Sequence, residues 1–136
     1  MKTLYGLLIL AGFLAAAAGF IPLCALEVRE SGETGRVVFL KRVAPGDTFT
    51  LSFIHSVEKS EVTDYFRIDD NNRIILYQTD FSSLNTGLPA VASGEEVFRR
   101  TDRGFRLSNI NRAFPEILLR VHEDYGGTLS AGGRVV

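Results

Sequence analysis

Residues 48–56 read TFTLSFIHS, and their alternation is strict. Phe49, Leu51, Phe53 and His55 fall in one phase; Thr48, Thr50 and Ser52 fall in the other, joined by Ile54. Side chains alternate across a β-strand and recur every 3.6 residues on a helix, so this pattern specifies a half-buried strand. Residues 36–42 (RVVFLKR) and 61–68 (EVTDYFRI) are β-rich, and 73–81 (RIILYQTDF) is apolar enough for an interior strand. Residues 95–101 and 105–109 form a hairpin across Asp102-Arg103-Gly104. Residues 117–123 (ILLRVHE) are read as a further strand, and the glycine-rich end allows a short last one. Turn chemistry separates these runs: Pro45-Gly46-Asp47 after residue 44, and DDNN at 69–72. The expected fold is all-β, a small antiparallel β-sandwich or open barrel of about seven to nine strands.

The start of the chain differs in kind. Lys2 is followed by an uncharged run, residues 3–26, rich in Leu, Ala and Gly. About 20 such residues span a bilayer core. Two readings are open: a signal peptide cleaved after Ala16-x-Ala18, or an uncleaved N-terminal apolar helix ending near Pro22 and anchored in the membrane. Either one exports the remainder, so residues 1–26 are assigned to the leader or anchor and 27–136 to an exported β domain outside the cytoplasm. Cys24 is the single cysteine of the 136 residues, which permits no internal disulfide. With 15 Lys plus Arg against 16 Asp plus Glu, the chain lacks the basic footprint of a nucleic-acid binder.

A four-residue loop, 57–60, would pair Ser56 with Glu61. Phe49 then faces Ile68, Leu51 faces Phe66, Phe53 faces Asp64, and His55 faces Val62. The apolar phases match, as register rules require, although a slip of two residues would match them equally. In this register His55 and Asp64 are diagonal neighbours on the core face, either a clasp at the strand end or one wall of a binding site. Other chemistry is thin. His122-Glu123-Asp124 has metal-ligating residue types, but strand neighbours point apart, and no metal site is assigned. DDNN lacks the central glycine and distal glutamate of a calcium loop. No Gly-x-Ser-x-Gly elbow and no glycine-rich phosphate loop is present, so no catalytic residue and no cofactor is assigned, and the chain is not expected to be an enzyme. Arg99, Arg100, Arg103 and Arg106 crowd one hairpin, with Glu95, Glu96 and Asp102 as expected partners. Residues 82–94 form a long loop shaped by Gly87 and Pro89.

The segment PGDTFTLSFIHSVEKSEVTDYFRI followed by FSSLNTGLP resembles the bacterial family known as domain of unknown function 1850, over roughly Leu26 to the C-terminus. Its most specific elements are Pro45-Gly46-Asp47, His55-Ser56-Val57-Glu58 and Gly87-Leu88-Pro89. The resemblance implies a small exported or membrane-anchored protein of unestablished activity. Members are often encoded beside the membrane subunit of tripartite ATP-independent periplasmic (TRAP) transporters of the TAXI type. The expectation is an accessory role in solute transport, with the TRAP permease or its solute-binding subunit as partner. Ligand- or partner-binding candidates are His55, Ser56, Glu58, Asp64, Gly87, Leu88 and Pro89. Two alternatives stand beside it: an independent small-ligand carrier, and an exported hydrolase or metalloenzyme using His55 and Asp64.

Overall fold

The computed structural model describes residues 24–31, 35–57, 59–83, 92–119 and 126–136. These form nine strands in two antiparallel sheets, with no helix among them. The expected N-terminal helix lies outside the described residues. Strands β1 (Cys24–Arg29) and β2 (Val37–Val43) make a two-stranded ribbon. β1 therefore begins within the segment read as apolar leader, and Leu26 is a core residue. The larger sheet holds β3 (Thr48–Ile54), β4 (Glu61–Ile68), β5 (Ile74–Phe81), β6 (Val97–Thr101), β7 (Gly104–Phe114), β8 (Gly127–Ala131) and β9 (Arg134–Val135). Their order is β6-β7-β5-β4-β3-β8-β9. The sheet is open, and the ribbon covers part of one face.

Local chemistry sets the turns. Pro45 and Gly46, the latter at φ 91°, form a turn closed by Asp47 N donating to Ala44 O at 3.0 Å. Asp69 caps the next hairpin: its Oδ1 accepts from Asn71 N and Arg73 N, and Asn72 adopts φ 58°. Gly132 and Gly133, both at positive φ, supply the two-residue turn between β8 and β9.

The inner face carries two apolar clusters. Leu26, Phe39 and Val43 of the ribbon pack on Phe49, Leu51, Phe66, Ile68 and Ala131. Val62, Phe81, Leu107 and Ile110 form the second cluster, joined by Phe98 and Phe105. The phases read from sequence hold: Phe49 and Leu51 are buried, while Thr48 is exposed.

The expected register is two residues out. Phe49 pairs with Phe66, Leu51 with Asp64 and Phe53 with Val62. The loop starts one residue earlier than expected: His55 N donates to Ser60 O, and Lys59 N donates to His55 O, both at 2.8 Å. Lys59 reaches φ 53° to close it. Moving the closing pair from Ser56 and Glu61 to His55 and Ser60 shifts every partner by two and leaves the apolar matching intact. Two further expectations change. β7 continues past Asn109 to Phe114, and residues 117–119 are not in a strand; residues 120–125 lie outside the described set.

Candidate functional site

His55 sits just beyond β3, half-buried, with Ser56 and Val57 exposed beside it. Glu58, Gly87, Leu88 and Pro89 lie outside the described residues, as do His122, Glu123 and Asp124. The His55–Asp64 juxtaposition does not form. Asp64 stands between Leu51 on β3 and Thr79 on β5, four positions along β3 from His55. At about 3.3 Å per residue that is roughly 13 Å. Among the described residues no group of three or more His, Cys, Asp or Glu side chains converges as metal ligands.

Asp64 nevertheless faces inward, in phase with Val62 of one cluster and Phe66 of the other. Burial pushes its carboxyl above the usual range, and a hydrogen bond from the Thr79 hydroxyl partly offsets this. Thr79 is itself buried, at 6 % exposure, so this polar pair sits between the two apolar clusters.

The opposite face of the large sheet is a polar ladder. One row runs Ser52, Thr63, Asp80, Arg106 and Arg99 across five strands; the next runs Thr50, Tyr65, Gln78, Ser108 and Val97. Ser52 and Thr63 share a hydrogen bond at 2.9 Å. Asp80 is the hub. It accepts two bonds from Arg106, at 2.7 and 2.6 Å, one from Tyr65 Oη at 3.2 Å and one from Gln78 Nε2 at 3.3 Å. Arg106 is thus paired across strands and not within its own hairpin, and Glu96 pairs with Arg112 at 2.8 Å. Burial raises the Tyr65 phenol above its usual range, and the Asp80 charge adds to this.

Two irregularities break the ladder at one level. Tyr77 is an extra residue between Leu76 and Gln78 relative to β4. On β7, residues 109–111 stand opposite that single residue, with Asn109 at φ 59°. A bulge places consecutive side chains on one side of a sheet. Here Tyr77 and Gln78 both point outward, and the Tyr77 ring lies 6.3 Å from Tyr65. The result is a shallow, open recess of about 450 Å³ lined by Gly46, Thr48, Arg67, Tyr77, Gln78, Ser108, Asn109 and Ile110. The β7 irregularity also anchors the far arm of the 82–96 connection: Asn109 Nδ2 donates to Glu95 O at 2.7 Å, and Ser108 Oγ donates to Val97 O at 3.3 Å. Sequence reasoning missed this recess. Its only signal was the failure of strict alternation in ILYQ and in SNIN.

These features define a small all-β domain whose large sheet buries one face and, among the described residues, carries polar rows and a recess on the other, with Ile75 buried beside them. Residues 49–136 match the family described as domain of unknown function (DUF1850), and the chain belongs to that family. No curated protein and no solved structure matches the chain.

Proposed function

We propose that this protein is an exported accessory component of a TAXI-type TRAP solute-uptake system, acting by binding. The supporting observation is the open outer face: hydroxyls, amides and an arginine surround a recess on a rigid sheet, the arrangement that binding sites use to orient a polar partner. The apolar segment 3–26 suits delivery to the periplasm, and attachment to the inner membrane where it is not cleaved. The family resemblance supplies the transporter context. His55 and Asp64, separated by the register, offer less support for a hydrolase or metalloenzyme.

The test is affinity capture of the tagged full chain from native membranes in which the TAXI-type permease and its solute-binding subunit are co-expressed. Recovery of either subunit at a stoichiometric level is expected. Its absence, with both partners verified in the membrane, would sink the accessory reading. The recess favours a second reading, an independent small-ligand carrier, which predicts ligand binding by the isolated chain and no transporter subunit in the capture.

A further inference from the structure

The chemistry of the recess narrows what it would hold. Arg67 projects from β4 and makes no ion pair with any described residue. Asp80, a carboxylate on the same face, stands opposite Thr63, four positions along β4 from Arg67, and is already occupied by Arg106. A guanidinium with its fork free is matched by a carboxylate, which takes two parallel hydrogen bonds.

The other side is different in kind. Ser108 has given its one hydroxyl hydrogen to Val97 O, Asn109 has committed an N–H to Glu95 O, and Gln78 has committed one to Asp80. Hydroxyl lone pairs and amide carbonyls remain there to accept hydrogen bonds, beside one further N–H on each of Gln78 and Asn109. Ser108 lies two strands from β4, about 10 Å at the usual strand spacing, with Tyr77 on the strand between. A cationic donor on one side, acceptors among the amides and hydroxyls of the other and an aromatic ring between them make a site for a short molecule, polarised at its Arg67 end.

We propose that this recess binds a small organic carboxylate bearing a hydrogen-bond donor a few atoms away, an amino acid or hydroxy acid, with Arg67 holding the carboxylate. The inference rests on the binding reading of the outer face, and does not require the transporter.

The test is calorimetric titration of the purified full chain with 4-aminobutanoate and 3-hydroxybutanoate, against butanoate and butylamine as half-matched probes. Saturable binding of at least one bifunctional probe is expected, with each half-matched probe weaker by about tenfold or more. Arg67→Gln should weaken the bifunctional probe by about ten- to a hundredfold while leaving the melting temperature unchanged, because Arg67 is exposed. No saturable binding of either bifunctional probe, butylamine binding as tightly as 4-aminobutanoate, or Arg67→Gln binding like the parent would each overturn the proposal. Probe binding with an empty membrane capture removes the transporter role and keeps the site; a productive capture without probe binding does the reverse.

Discussion

Gly104 offers a sharp test of how closely the start of β7 packs on the end of β5. It opens β7 at φ 138°, a conformation that L-residues rarely adopt. A Cβ there would overlap the Phe81 carbonyl oxygen and lie 2.6 Å from Ser82 Cα. Ordinary carbon–carbon contact is about 3.5–4.0 Å, so Gly104→Ala forces backbone apart by about 1 Å. No flexible side chain can yield, because the obstructing atoms are main chain where β5 ends. Conformational strain of about 1–3 kcal/mol and overpacking of similar size give an expected loss of about 3–5 kcal/mol, a large part of a small domain's stability. Gly94→Ala is the control. Gly94 has φ 64° and nothing within 4 Å of an added Cβ, so it carries strain alone, about 1–2 kcal/mol. Urea unfolding of both variants beside the parent measures the difference directly. Equal losses for the two would refute the argument that backbone contact at Phe81 and Ser82 requires glycine at position 104.

Asp64→Asn should stabilise the domain at neutral pH. Burial raises the folded carboxyl pKa, so wild-type stability falls as pH rises from the unfolded value near 3.9 through the higher folded value, by about 1.4 kcal/mol per unit of separation. The variant's advantage in urea unfolding should be absent below that window and complete above it; a variant less stable than wild type at pH 8 would contradict this. Asp80→Asn should bring the Tyr65 phenol back toward its usual range by removing the adjacent negative charge, read by ultraviolet titration of tyrosine. Since the Asp80–Arg106 pair is partly exposed, the same change should cost about 1 kcal/mol or less.

Strands β3, β4 and β5 and the faces they bury were legible because alternation is strict in TFTLSFI and EVTDYFRI and because proline, glycine and aspartate mark the turns between them. The register was not legible. The observed His55–Ser60 closure has Lys59 at φ 53°, which the residue types do not announce, and a period of two cannot separate pairings two residues apart. β1 was hidden because Cys24, Ala25 and Leu26 continue the composition of the apolar run before them. The far half of β7 was hidden because Asn109 interrupts its phase. The recess follows from that same break: Arg67, Tyr77, Ser108 and Asn109 have no spacing in common and meet only once three strands are in register.

The bulge at Tyr77 links the buried face to the recess. Counting back from Phe81 and Thr79, which point inward, unbroken alternation would turn Tyr77 inward and Leu76 and Ile74 outward. The extra residue reverses the phase, so Leu76 pairs with Phe66 and Ile74 with Ile68 on the core side. The outward turn of Tyr77 is the other half of that reversal. Deleting Tyr77 should therefore leave the inner face in phase, because Gln78 then follows Leu76 directly and both keep their β4 partners. Leu76 and Ile74 then stay inward and Ile75, at 3 % exposure, stays on the other face; the strain falls on β7, where residues 109–111 lose the one residue opposite them. Tyr77→Ala keeps the phase and removes only a ring from the recess. Thermal unfolding of the two variants decides the point: a Tyr77 deletion that loses the burial of Leu76 and Ile74, about 1.5–3 kcal/mol each when fully buried, would mean that Tyr77 is not the extra residue of β5.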